Sequence, residues 1–139
     1  MMLLVLAALQ ALPIPLDAAA RAGLPAASAT LTAHGTTQTC TGVWLRDLAV
    51  RAGVPSGEAV RGPALASVVV AEARDGYRVA FSLGEIDTKL GNAAILVADR
   101  CNGQPIGDAD GPLRLVVPGD ARGARSVKQL QALRLTPVP

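Results

Sequence analysis

The chain has 139 residues, enough for one domain and no more. Half of it is hydrophobic and 17% is charged, which excludes a disordered chain, poor in apolar residues and rich in net charge. A formal net charge of +2 and three scattered rings, Trp44, Tyr77 and Phe81, supply neither the basic stripe nor the stacking platform of a nucleic-acid binder, so no nucleic-acid partner is expected.

Residues 2–16 form an apolar run with no charge before Asp17. A transmembrane helix needs about 20 such residues without prolines, and Pro13 and Pro15 interrupt this run. Its length suits the apolar region of an export signal, and Ala20-Arg21-Ala22 offers an A-x-A cleavage site, although no Lys or Arg precedes the run. The expectation is a signal peptide over 1–22 and a domain over 23–139 in a periplasmic or secreted protein. Membrane contact would come only through an uncleaved N-terminal segment.

Residues 28–33 alternate as a strand does, His34 to Thr37 read as a turn, and Gln38 to Thr41 as the returning strand. His34, the single histidine, therefore reads as a turn residue ahead of Gly35 and not as a metal ligand. After Gly42 the period changes. Leu45, Leu48, Ala49 and Ala52 share one helical face, which Gly53 and Pro55 bring to an end. Residues 56–63 read as loop. Val68 to Ala71 and Tyr77 to Phe81 form a hairpin, with Asp75-Gly76 expected in a tight primed turn. Ser82 and Glu85 have the spacing of a capping box. The apolar run Ala94 to Ala98 predicts a strand covered on both faces, and Asn102-Gly103 a turn. Leu113 to Val117 predicts a strand stopped by Pro118-Gly119, and residues 130–135 a closing strand. Short strands with two modest helices predict one compact α+β domain with mixed or mainly antiparallel sheets.

Cys40 and Cys101 lie 61 positions apart with no C-x-x-C pair, so no zinc site is supported. In an oxidising compartment they can pair. Cys40 is open to three roles: a packed residue, a disulfide partner or a nucleophile. Gly107 to Gly111 lacks the closing Glu of a calcium loop and reads as a turn. No G-x-S-x-G occurs. The segment Gly119 to Lys128 is the richest in chemistry. Arg122, Arg125 and Lys128 recur every third residue in a glycine-containing loop after a strand, which suits a phosphate or other oxyanion.

Several blocks occur in the order seen in one known family. They are Gly42 to Leu48, Ala52 to Pro55, Asp75-Gly76-Tyr77 and Leu96 to Asp99. Asn102-Gly103-Gln104-Pro105-Ile106, Gly111 to Gly119 and Ser126-Val127-Lys128 complete the set. Over about residues 28–136 the chain resembles the molybdopterin-dependent oxidoreductases of sulfite-oxidase type, in a compact exported form. The resemblance implies that fold and a molybdopterin cofactor. The segment around Ser126-Val127-Lys128 matches one that holds the pterin phosphate, which implies Arg125 and Lys128 as its contacts; together with Arg122, from the spacing of the loop, they are the expected cofactor-binding residues. The relatives bind molybdenum through a cysteine in a Cys-Ala-Gly-Asn-like stretch upstream of the Gly-Val block. That stretch does not occur here, and Gln129 stands where the family has tryptophan. Two readings follow. One is a non-catalytic module binding a small anionic ligand or pterin, with no metal. The other is a molybdenum-cofactor-dependent oxidoreductase acting on a small oxyanion or oxide, with Cys40 as an unconventional ligand and a redox partner that the sequence does not name.

Overall fold

The structure, a computed structural model, describes residues 11–138. The alternating segment after residue 27 forms a long antiparallel hairpin of β2 (Ala27–Ala33) and β3 (Thr36–Trp44). Its turn is only His34-Gly35, both in the left-handed region at φ 51° and 76°, so His34 is a turn residue as its neighbour predicted. Strand β3 runs through Gly42 instead of ending there. A register shift between Thr41 and Gly42 presses that glycine against the next strand, where a Cβ would collide with the Val97 carbonyl.

Helix α2 (Leu45–Arg51) follows directly, and its predicted face buries Leu45, Leu48 and Ala49. The expected loop beyond it carries two short 3-10 turns, Gly57–Ala59 and Gly62–Ala66. Strands β4 (Val68–Ala73) and β5 (Arg78–Ser82) pair as predicted, but through a different turn. Gly76 N–H donates to the Ala73 carbonyl, and Gly76 alone takes a positive φ, 91°, while Asp75 accepts from Tyr77 N–H at 3.0 Å. This is a bulged turn, whereas two-residue primed turns occur at His34-Gly35 and at Asn102-Gly103 (φ 52° and 76°). The capping box of α3 (Leu83–Ile86) forms both of its bonds at 3.0 Å, Glu85 N–H to Ser82 Oγ and Ser82 N–H to Glu85 Oε1.

Strand β6 (Leu96–Cys101) is the centre of the second sheet. It pairs with β3 on one side and with β7 (Gln104–Pro105) and β8 (Arg114–Val116) on the other. The closing strand β9 (Leu130–Thr136) pairs with β4. Every pairing is antiparallel, so one α+β domain holds a four-stranded and a five-stranded sheet. Val69, Ala71, Leu133 and Leu135 from the first sheet share a core with Val43, Val97 and Leu115 from the second. Leu96 and Ala98 point the other way, into a smaller cluster with Leu31, Cys40 and Val116. This two-sided burial explains the unbroken apolar run around β6.

The segment ahead of residue 23 adds a strand to the first sheet. Residues 2–10 of the apolar run lie outside the described residues. Leu12–Ile14 form β1, the edge strand paired to β9, with Ile14 only 2% exposed. Asp17 caps the one-turn helix α1 (Ala18–Arg21), accepting Ala20 N–H at 2.9 Å, and Arg51 reaches the carbonyl of Ala20 at 2.9 Å. Residues on the two sides of the expected boundary at 22/23 are thus in contact. The period-2 pattern of Leu12, Ile14 and Leu16 is that of an edge strand, where the ring of Pro13 is tolerated. No helix among the described residues is long and apolar enough to cross a membrane.

Candidate functional site

Strand β8 is three residues long, and all three are buried, including Arg114 at 5% exposure. In a run of Leu-Arg-Leu-Val-Val, alternation sends Arg114 to the same face as Val116. Its guanidinium is tied down by backbone oxygens: Nη2 donates to the Ser126 carbonyl at 3.0 Å and Nε to the Leu115 carbonyl at 3.4 Å. Nη1 lies 3.7 Å from Asp110 Oδ2, too far for a hydrogen bond. Burial pushes the Arg114 pKa down and Asp110 pulls it back up, the first effect being larger. Arginine still keeps its proton at any working pH.

Arg114 lines a cleft of about 560 Å³. The β2–β3 hairpin forms one wall, with Thr32, His34 and Thr36. The loop after β8 forms the other, with Arg122, Ser126 and Lys128. The loop is held in place from below: Ser126 Oγ accepts Val117 N–H at 3.0 Å, and Leu115 N–H donates to the Val127 carbonyl at 2.8 Å. Gln129, at the family's tryptophan position, has a positive φ of 51° and staples the loop to the 107–111 turn. Its N–H donates to the Asp110 carbonyl and its Nε2 to the Asp108 carbonyl, each at 2.7 Å.

Of the three expected cofactor-binding residues, the structure brings Arg122 and Lys128 into this cleft. Among the described residues no carboxylate pairs with Arg122, while Lys128 Nζ stands 3.4 Å from Asp110 Oδ1. Arg125 is directed elsewhere. It binds Asp120 in a fork, Nη2 to Oδ1 at 2.8 Å and Nε to Oδ2 at 2.9 Å, reaches Glu85 at 3.1 Å and lies 4.7 Å from the centre of the Phe81 ring. The two carboxylates raise its pKa well above the ordinary value, with the Asp120 hydrogen bond the largest cause. Arg125 is thus a clamp joining the loop to β5 and α3. Sequence reading missed Arg114, whose one signal is a charge standing inside an apolar strand.

Cys40 and Cys101 face each other in register on β3 and β6 and are joined, Sγ–Sγ 2.08 Å, with Cys40 fully buried. Of the roles left open for Cys40, the structure shows the disulfide partner, so this sulfur is not available as a nucleophile or metal ligand. Among the described residues no group of three or more His, Cys, Asp or Glu is placed to hold a metal ion. With both thiols consumed, the donor set does not fit a thiolate-ligated molybdenum centre. It does fit an anionic group, which the cleft cations can meet with several charged donors.

A search of curated proteins finds no match. The sequence model of the family described as "Oxidoreductase molybdopterin binding domain" matches residues 21–139, which take in β2 to β9 and all of the cleft, while β1 lies outside the match. Coverage of that extent, on a domain of two antiparallel sheets and a few short helices, places the chain in the oxidoreductase molybdopterin-binding domain family, the domain type of sulfite oxidase.

Proposed function

We propose that this protein is an exported, non-catalytic member of its family that binds a small anionic ligand, such as a phosphate-bearing pterin, in the cleft between the β2–β3 hairpin and the 119–128 loop. One observation carries the reading: a buried guanidinium, Arg114, opens onto the same cleft as Arg122 and Lys128. Backbone carbonyls meet Nε and Nη2 of Arg114, while Nη1 has only the Asp110 carboxylate at 3.7 Å, and an anion in the cleft supplies it with a charged acceptor. The disulfide supports export to an oxidising compartment, as does the apolar run before Leu12.

Calorimetric titration with inorganic phosphate tests the reading on the wild type and on Arg122→Ala, which removes no side-chain hydrogen bond or ion pair among the described residues. The variant should bind about 10- to 100-fold more weakly, the worth of one charged hydrogen bond or two. Absence of binding by the wild type would reject the proposal. Family membership supports a second reading, a periplasmic molybdenum-cofactor-dependent oxidoreductase. Elemental analysis of protein purified from its own host separates the two: near-stoichiometric molybdenum would favour the enzyme.

A further inference from the structure

Resting on the anion-binding reading, we infer that Asp110 makes the cleft selective for oxyanions that carry a proton, such as hydrogen phosphate, over those that carry none, such as sulfate. The reason is the position of one carboxylate among three cations. Asp110 lines the cleft beside Arg114 and also lines a smaller adjoining hollow of about 220 Å³ between Gln104 and Ile106, so it stands where the two meet.

Its two oxygens face different cations, Oδ1 toward Lys128 Nζ at 3.4 Å and Oδ2 toward Arg114 Nη1 at 3.7 Å. Both are Coulombic contacts. Among the described residues no N–H or O–H donates a hydrogen bond to this carboxylate, and its side chain is 44% exposed. An ionised carboxylate can only accept, and here its acceptor sites remain open. Its backbone is fixed on both sides, N–H to the Gly107 carbonyl at 3.1 Å and carbonyl to Gln129 N–H at 2.7 Å, so the side chain cannot readily withdraw from the cleft.

An incoming oxyanion therefore meets donors and one acceptor together. Arg114, Arg122 and Lys128 offer three positive charges against one negative, leaving a formal +2 that suits a dianion. Hydrogen phosphate can direct its P–O–H at an Asp110 oxygen while its bare oxygens take the guanidinium donors. Sulfate has the same shape and charge but no proton, and it would set oxygen against oxygen. Such a lone-pair conflict gives discrimination of the kind seen when a site built for a hydroxyl meets an analogue lacking it.

The test is calorimetric titration of the full chain at pH 7 with inorganic phosphate and, separately, inorganic sulfate, on wild type and Asp110→Asn. The side-chain amide can donate as well as accept, and the backbone bonds at residue 110 are unaffected. Wild type should bind phosphate at least tenfold more tightly than sulfate, and Asp110→Asn should bring the two within about threefold, chiefly by strengthening sulfate. Arsenate against selenate in wild type repeats the comparison without any variant and should show the same preference. Equal wild-type affinities for phosphate and sulfate would overturn the selectivity while leaving anion binding intact. A preference unchanged in Asp110→Asn would overturn the role of Asp110. Failure of every oxyanion to bind would overturn the anion-binding reading, and the selectivity with it.

Discussion

Among single residues, Arg114 and Arg125 show how neighbours separate two identical side chains. Both are arginines near one loop, yet Arg114 meets mainly backbone oxygens and a cleft, while Arg125 meets two carboxylates and a ring. Arg114→Lys keeps a charge but cannot reproduce the guanidinium fork, so phosphate affinity should fall at least tenfold in titration. Arg125→Ala should instead destabilise the fold, by about 1–2 kcal/mol in denaturant unfolding, because the lost pair is about a third exposed. The same clamp is sensitive to pH. Hydrogen bonds from Arg125 hold the Asp120 carboxyl below the usual aspartate value, so its stabilising effect is complete above that range. It fades as pH falls through the lowered value. The melting temperature of Asp120→Asn should therefore lie below wild type at pH 7, and the gap should close in strong acid. The three-residue spacing of Arg122, Arg125 and Lys128 was visible in the sequence. Which of them face the cleft was not, because that depends on carboxylates 5 and 40 residues away from Arg125.

Among the elements, those with strong local signals were legible. The α2 face, the α3 capping box and the β2–β3 and β4–β5 hairpins follow from periodicity and turn chemistry alone. Asp75-Gly76 was misread because Asp-Gly serves both primed and bulged turns, and the Ala73–Tyr77 pairing chose the latter. The edge strand β1 was hidden inside an apolar run that also resembles a leader. Its removal is a direct test. A chain beginning at Gly23 should be less stable than one beginning at Ala11 by about 3 kcal/mol or more, since it loses the buried Ile14 and leaves β9 paired with β4 alone. Denaturant midpoints of the two chains measure this. Gly42→Ala should cost about 1–3 kcal/mol by the same assay, because the added methyl meets backbone that cannot swing aside.

For the whole molecule, the disulfide and the cleft are products of one arrangement. Cys40 on β3 and Cys101 on β6 close a loop of 61 residues, worth about 4 kcal/mol on the chain-entropy account. Cys40→Ser/Cys101→Ser should lower unfolding free energy by up to that amount, while thiol titration of unfolded, unreduced wild type should find no free thiol. The sequence alone determined the number of domains, the α+β class, most strands and the family, because each rests on local patterning or on blocks of residues in order. The cysteine pairing, the docking of residues 12–14 on β9 and the presence of Arg114 instead of Arg125 in the cleft emerge only once the chain is folded. Those outcomes depend on contacts between segments far apart in the chain, where strand register and burial, and not local propensity, determine which groups meet.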